Sequence, residues 1–160
     1  MIMAERAVPP RVVTAERVAS EARFKKSCVP GVGRLLALAA ASKPYGVVSE
    51  SSTGSGVDTA WLHSGLGAGA RLFTVERDEE LARRAVGVFA DEDRVRVLTG
   101  DWRLLEQHAP FDVFFCDGGG KWDDPEKVVE LLAPGGLLAL DAAGVLTTPT
   151  GSVVVAARRL

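Results

Sequence analysis

The chain has 160 residues, of which 47% are hydrophobic and 25% are charged, and its formal net charge is −2. This length fits one globular domain whose core is large enough to fold without a disulfide or a structural metal. No basic run is longer than Lys25-Lys26 and no stretch approaches the ~18 apolar residues of a membrane helix, so an extended nucleic-acid interface and a membrane span are both disfavoured.

The two cysteines, Cys28 and Cys116, are far apart and lack the spacing of a metal site. They indicate reduced thiols and therefore a cytoplasmic protein. The first residues contain no apolar segment of signal-peptide type. We predict a single domain over residues 1–160, with a loose tail at 1–10 and N-terminal helices at 11–43.

Two helices are predicted before the first strand. Thr14 is a candidate N-cap for a helix that ends near Lys26, because Pro9-Pro10 cannot join a helix interior. Pro30 then breaks the chain. A second helix is expected over residues 32–41, and its many leucines and alanines predict that it is mostly buried.

The segment Tyr45–Trp61 predicts a buried strand, a tight turn of small residues and a helix that begins at Val57. Within the turn, Ser51–Gly56 contains no large side chain. Gly54 and Gly56 allow the backbone to adopt positive φ and allow a ligand to approach the main chain closely. A strand, a glycine-rich turn and a helix in this order are typical of nucleotide-binding α/β proteins.

A second predicted strand ends at Glu76, about 20 residues past the glycines, where an acid can bind the two hydroxyls of a ribose. Two nucleotide classes fit this pattern. A dinucleotide fingerprint would use Gly54 and Gly56, but Thr59 occupies its third glycine position. Glu50, at the end of the first strand, would face a positively charged group better than a pyrophosphate, which favours a ligand with an ammonium.

Strands and helices alternate through the rest of the chain. Predicted strands cover residues 95–98, 111–116 and 137–140, and predicted helices follow Asp78, include Leu104-Leu105 and cover 124–132. This alternation predicts an α/β fold, a Rossmann-like three-layer sandwich with a mostly parallel sheet. The tail differs, because residues 145–147 and 152–156 flank Pro149-Thr150-Gly151 and predict a C-terminal antiparallel hairpin after a shortened connection.

An acid follows or ends each of the five predicted strands. Ligands of parallel sheets bind beyond the carboxyl ends of the strands, so these acids predict one site, although Asp also suits turns. The five acids are Glu50, Glu76, Asp101, Asp117 and Asp141.

These motifs together resemble the class I S-adenosylmethionine (SAM) methyltransferases. Over residues 27–160 the chain is similar to the small bacterial O-methyltransferases related to catechol and caffeoyl-coenzyme A O-methyltransferases. The family motif Glu-x-Gly-x-Gly-x-Gly corresponds to residues 50–56, with Ser52 in place of the first glycine. The other matching segments are 27–36, Thr74-Val75-Glu76, Thr99-Gly100-Asp101-Trp102, 111–117 and 132–136.

The resemblance implies SAM as the cofactor and assigns residues to each part of it. It implies that Glu50 and the turn contact the methionine portion, that an acid binds the ribose, and that the segment after the third strand contacts the adenine. From the methionine end to the adenine end, the expected contacts are Glu50, Ser52, Thr53, Gly54, Gly56, Glu76, Arg77, Gly100, Asp101 and Trp102, and Asp117 is expected on the sulfonium side.

The same resemblance implies two catalytic residues. Asp117 would face the sulfonium and the acceptor, and Lys121 would reach an acceptor oxygen from behind three glycines. In the metal-dependent members two acids and an amide bind the ion. Here Asp117 and Asp141 match the acids but Ala142 replaces the amide, so a divalent metal is compatible with the sequence while no metal ligand is predicted.

The implied function is transfer of a methyl group from SAM to a hydroxyl of a small-molecule or nucleoside-like acceptor. Two alternatives stay open. Ser52 and Ala142 are compatible with a degenerate SAM-binding protein without turnover, and the glycine turn is compatible with an NAD-binding oxidoreductase module, which the missing third glycine disfavours. A homodimer is compatible with the interpretation, and no membrane partner is expected.

Overall fold

The computed structural model describes residues 7–141 and 153–157. Asp141 and residues 153–157 are described by their backbone alone. The strands are β1 (Val47–Glu50), β2 (Arg71–Glu76), β3 (Val95–Thr99), β4 (Phe111–Cys116), β5 (Leu132–Asp141) and β6 (Val153–Ala157). The α-helices are α1 (Pro10–Glu21), α2 (Pro30–Ala41), α3 (Val57–Ser64), α4 (Glu79–Val88) and α5 (Pro125–Glu130), and a 3₁₀ helix covers Trp102–His108.

The six strands form one sheet in the order β3-β2-β1-β4-β5-β6, and every neighbouring pair is parallel. Side chains of β4 alternate between the two faces. Val113 and Phe115 pack with helices α1 to α4, whereas Phe111 and Phe114 pack with the 3₁₀ helix and α5. This arrangement confirms the predicted Rossmann-like three-layer sandwich, because each face of a buried parallel sheet needs its own helical layer.

The predicted C-terminal antiparallel hairpin is wrong. β6 lies parallel to β5, with Leu137 opposite Val153 and Asp141 opposite Ala157. A run such as Val153–Ala157 predicts a strand but not its direction, since side chains alternate in the same way in both kinds of pairing. The predicted strand at 145–147 lies outside the described residues.

Helix α1 begins at Pro10 rather than after Thr14. Pro10 takes the first helical position, where the missing N–H costs nothing, and the Thr14 hydroxyl donates to the Pro10 carbonyl (3.2 Å) instead of capping. The helix ends at Glu21, short of Lys26. Arg23 then adopts a left-handed conformation (φ 53°), and the chain turns toward α2.

Helix α2 is buried on one face only, which corrects the expectation that it is mostly buried. Gly33 and Leu36 face the core, whereas Leu35 and Leu38 are 50% and 68% exposed. Gly33 lies so close to the Trp61 ring that an added Cβ would come within 2.4 Å of it, which sets the distance between α2 and α3. No described helix is both long enough and apolar enough to cross a bilayer.

Candidate active site

The candidate site lies where the strand order reverses, between β1 and β4, and the turn after β1 forms its floor. The Thr53 N–H donates to the Val75 carbonyl (3.0 Å), and the Gly54 N–H donates to Glu76 Oε2 (2.7 Å). Gly54 and Gly56 have φ values of 54° and 90°, a region that glycine adopts without strain. The turn is therefore fixed to the end of β2 as well as to β1.

Glu50 lies beneath this turn and is fully buried. Its Oε2 accepts a hydrogen bond from the Thr74 hydroxyl (2.7 Å) and another from the Thr59 hydroxyl. Its Oε1 has no hydrogen-bond partner among the described residues. Burial, followed by the negative charge of Asp58, raises the pKa of Glu50 well above its ordinary value.

A first cavity of about 510 Å³ lies above the turn, in the size range of small-molecule sites. It is bounded by the turn, by the loop that follows β4 and by the loop between α1 and α2. The predicted site residues that line it are Ser52, Thr53, Gly54, Glu76, Arg77, Asp117 and Lys121.

A second cavity of about 290 Å³ shares the walls Ser52, Glu76, Arg77 and Gly118 with the first. It is completed by the segment after β3, where the sequence predicted the adenine contacts, and its further predicted residues are Gly100, Asp101 and Trp102. All predicted site residues except Glu50 and Gly56 therefore line one of two adjoining cavities.

The expected contact of Glu50 with a ligand stays a prediction, and the position of its carboxylate favours a role in supporting the turn. Glu50 lines neither cavity, because the hydroxyls of Thr59 and Thr74 hold its carboxylate below the turn. Gly56 is likewise outside both cavities, and an added Cβ would meet Phe89 at 3.3 Å. Both residues shape the turn from beneath.

Ser52 is accommodated by a glycine that the sequence interpretation did not single out. A Cβ added to Gly118 would lie 2.7 Å from the Ser52 Cβ, so the absence of a side chain at Gly118 makes room for the serine. The Cys116 thiol donates to the Gly119 carbonyl (3.3 Å) and accepts from the Ser51 hydroxyl (3.4 Å). These contacts hold the loop after β4 against the turn.

Trp102 forms the wall of the second cavity and is 5% exposed. Its indole N–H donates to Asp123 Oδ2 (3.1 Å), and an added Cβ on Gly119 would approach the ring to 2.4 Å. The Arg103 guanidinium lies 4.8 Å from the ring centroid. Trp102 is therefore both a cavity residue and a packing residue, held in one orientation.

Glu76 lies at the junction of the two cavities. Its Oε1 accepts from the Asp78 N–H (2.9 Å), and its Oε2 accepts from Gly54. Each carboxylate oxygen can accept more than one hydrogen bond, so Glu76 retains capacity for two hydroxyl donors of a ligand. The backbone contacts fix its orientation before any ligand arrives.

Asp117 and Lys121 lie together at the far side of the first cavity. The Lys121 ammonium donates to the Asp117 carbonyl (2.7 Å) and lies 3.9 Å from its Oδ1. Among the described residues no cluster of three or more His, Cys, Asp or Glu side chains could hold a metal. The Lys121 ammonium beside the Asp117 carboxylate disfavours a divalent cation at this acid. The Asp141 side chain lies outside the description.

Several cavity residues carried no recognised signal in the sequence. Phe24 and Lys26 come from the α1–α2 loop, and the Phe24 ring covers Gly54 so closely that an added Cβ would be 2.7 Å away. Asp58 lines the same cavity from the first turn of α3. An acid in that helical turn was visible in the sequence, whereas the position of the loop was not.

The sequence model of the protein-L-isoaspartate(D-aspartate) O-methyltransferase family matches residues 32–143. The chain belongs to this family, a family of class I SAM-dependent methyltransferases. The match confirms the resemblance to the class I SAM methyltransferases and does not support the NAD-binding alternative.

Individual relatives agree with this family. A curated relative from Mycolicibacterium paratuberculosis with an O-methyltransferase name is 32% identical over 126 residues, which is 71% of this chain and 55% of that protein. A relative of the same name from Mycobacterium sp. is 33% identical over 126 residues, 71% of this chain and 56% of that protein. The chain thus spans about half the length of these methyltransferase relatives.

Solved structures have the same fold. The O-methyltransferase TomG from Streptomyces achromogenes, in complex with SAM, has a TM-score of 0.74 at 23% identity and covers 86% of this chain and 67% of its own. The O-methyltransferase from Bacillus cereus, in complex with S-adenosylhomocysteine (SAH), has a TM-score of 0.74 at 25% identity over 84% and 67%. A protein-L-isoaspartate O-methyltransferase has a TM-score of 0.59 at 22% identity, and covers 69% and 35%.

Proposed function

We propose that the chain binds SAM across the two adjoining cavities and directs its methyl group to a hydroxyl of a small-molecule or nucleoside-like acceptor. The observation that supports this most is the position of Glu76. It stands between a cavity bounded by the glycine turn and a cavity bounded by Trp102. A nucleoside with a long substituent at its 5′ end needs one compartment for the base and another for the substituent. Between them it needs a group that accepts hydrogen bonds from the ribose hydroxyls.

The residues of the second cavity suit an adenine. Trp102 offers a rigid ring edge, and Asp101 offers a carboxylate to an exocyclic amine while its Oδ1 accepts from the Arg103 N–H (3.0 Å). Glu76 would bind the ribose hydroxyls, and Arg77 would cover the nucleoside from the side. Ser52 to Gly54 would lie along the amino-acid arm in the first cavity.

When bound, SAM supplies a methyl group on a positively charged sulfur. The chain's own contribution is to align an acceptor oxygen with that group and to stabilise the deprotonated form of that oxygen, whose proton passes to solvent. The oxygen then forms a bond to the methyl carbon while the sulfur keeps the electron pair of the broken bond, which leaves SAH. We assign this role to Lys121, because the residue lines the first cavity and its ammonium donates a hydrogen bond to the Asp117 carbonyl (2.7 Å). Asp117 orients Lys121 and places a negative charge on the cavity wall beside the sulfonium.

The alternative of a SAM-binding protein without turnover has one observation in its favour. Ser52 lines both cavities, at the position where the family motif has a glycine. The alternative predicts SAM binding without product. The homodimer, the cytoplasmic location and the single domain over 1–160 stay predictions.

Calorimetric titration with SAM and SAH tests the proposal. We expect binding by the wild type and a loss of about 10- to 100-fold for Glu76→Ala, because hydrogen bonds to a carboxylate contribute about 1.5–3 kcal/mol. The matched control is Glu79→Ala, an exposed acid of α4 that lines neither cavity. Absence of both heat and thermal shift with millimolar SAM would refute cofactor binding.

Turnover is measured separately, with methyl-labelled SAM and a panel of phenols, catechols and nucleosides. Label in product that disappears in Lys121→Met, while the affinity for SAH is retained, would support the role of Lys121. Binding of SAM with no labelled product across the panel would favour the alternative without turnover.

A further inference from the structure

The first cavity contains a carboxylate to which neither the glycine motif nor the strand-end pattern assigned a role. Asp58 is the second residue of α3, is 6% exposed and lines the cavity beside Val57 and Gly54. Its Oδ1 accepts a hydrogen bond from the Cys28 N–H (2.8 Å), so its orientation is fixed by the α1–α2 loop. A buried, oriented carboxylate on a cavity wall is a binding group for a cation.

Acidic groups lie close together around Asp58. Burial and then the Asp58 charge raise the pKa of Glu50 and also the pKa of the Cys28 thiol, and Asp117 acts on both groups in the same direction. Glu50, directly behind the turn, keeps a fully buried Oε1 that has no hydrogen-bond partner among the described residues. A cation bound in front of Asp58 would relieve this repulsion.

The other acids of the cavity are placed for different tasks. Glu76 is held by the Gly54 and Asp78 N–H groups at the junction with the second cavity. Asp117 lies 3.9 Å from the Lys121 ammonium. Asp58 is the acid of this cavity that lies on the helix entered directly from the glycine turn, where the amino-acid arm of the ligand would run.

We propose that Asp58, rather than Glu50, binds the α-ammonium group of the amino-acid arm of SAM and SAH. This inference rests on the proposed function, since it concerns the same cofactor. Glu50 then supports the turn from beneath. The orientation of the amino-acid arm also follows: its ammonium faces α3, and its carboxylate points away from Asp58.

The test is calorimetric titration of the wild type, Asp58→Asn and the control Asp93→Asn, an exposed acid remote from both cavities. The ligands are SAH and 5′-methylthioadenosine, which lacks the amino-acid arm. We expect Asp58→Asn to bind SAH about 10- to 100-fold more weakly, the range for a charge-assisted hydrogen bond, and to bind 5′-methylthioadenosine within about twofold of the wild type.

A desamino analogue of SAH closes a thermodynamic cycle that holds even if Asp58→Asn is less stable. If Asp58 binds the amine, Asp58→Asn with desamino-SAH should show about the same loss of affinity as either change alone, and not the sum of the two losses. Equal losses for SAH and 5′-methylthioadenosine, unchanged SAH affinity or tighter SAH binding in Asp58→Asn would each overturn the assignment. If the wild type binds neither ligand, the proposed function fails together with this inference. If the wild type binds SAH but Asp58→Asn behaves as just described, only the assignment of Asp58 fails.

A second readout needs no cofactor. Burial and then the Asp58 carboxylate raise the pKa of the Cys28 thiol, so Asp58→Asn should remove the second of these contributions and lower that pKa. The rate of alkylation of Cys28 by iodoacetamide near pH 8 should then increase, with the fully buried Cys116 as an internal control. An unchanged rate at Cys28 would contradict the placement of the carboxylate beside the thiol. A rise at both cysteines would indicate a loosened fold and would likewise count against the reading.

Discussion

Replacing Glu50 by Gln gives the sharpest test of the interior of this site. The side chain is fully buried, and its Oε2 accepts hydrogen bonds from Thr59 and Thr74. Gln retains a carbonyl oxygen for those two donors and cannot ionise. Wild type and variant therefore differ in the charge of one group while its shape is nearly conserved.

The direction follows from the raised pKa of Glu50. In the unfolded chain this group titrates near its ordinary value of 4.5, whereas in the folded protein burial and the charge of Asp58 keep it protonated to higher pH. Between these two values the folded state binds more protons, so the free energy of unfolding falls as pH rises. At low pH the wild type and Glu50→Gln should have similar stability.

The magnitude follows from the proton count. One proton contributes about 1.36 kcal/mol per pH unit, so over about two units above pH 5 the wild type should lose up to about 2.7 kcal/mol relative to Glu50→Gln. The lowered pKa of His108, caused by burial and by Arg96, acts in the opposite direction in the wild type. It is present in both proteins and cancels in the difference.

The measurement is urea unfolding followed by tryptophan fluorescence, at about pH 5, 6 and 7 and constant ionic strength. Glu79→Gln, at an exposed position, should parallel the wild type at every pH. If Glu50→Gln also parallels the wild type across this range, Glu50 is not a buried group with a raised pKa, and its placement beneath the turn is refuted.

Three further predictions concern stability. Gly33→Ala should lower the free energy of unfolding by about 1–3 kcal/mol, because the new Cβ would come within 2.4 Å of the Trp61 ring. Gly87→Ala, whose new Cβ would have no atom within 4 Å, should raise the free energy of unfolding by up to about 1 kcal/mol. Equal shifts of the two urea midpoints would contradict this packing. Arg23→Gly should raise stability by roughly 0.5–1 kcal/mol, because the residue has φ 53°, and a lower melting temperature would contradict it. The pKa of Glu92 is held far below its ordinary value, chiefly by hydrogen bonds from Arg94, so Glu92 stabilises the fold above about pH 4.5 and this stabilisation is lost as pH falls. The difference in the free energy of unfolding between wild type and Glu92→Gln should therefore shrink on acidification. A difference that does not change with pH would contradict the ion pair.

The order of strands and helices and the position of the site could be predicted from neighbours along the chain. Apolar runs and turn residues act over a few positions, and they placed acids at the carboxyl ends of the strands, where Glu76 and Asp117 do line the cavities. The glycines of the turn could also be predicted, because positive φ at Gly54 is a local requirement.

The direction of the last strand and the burial of α2 were decided by the assembled sheet. The pattern of Val153–Ala157 is the same for either direction, and only pairing with β5 fixed it as parallel. Likewise Leu35 and Leu38 have helical spacing suited to a core, but only one face of α2 reaches the neighbouring helix and sheet.

The sequence by itself thus determined the kind of fold, the edge of the sheet that carries the site and the membership of the class I SAM methyltransferases. Only the tertiary structure decided which acids face the cavity. Glu50 and Asp58 are eight residues apart, yet one is sealed by Thr59 and Thr74 and the other lines the cavity against the α1–α2 loop. That choice depends on contacts between segments distant in the chain, and local pattern contains no information about them.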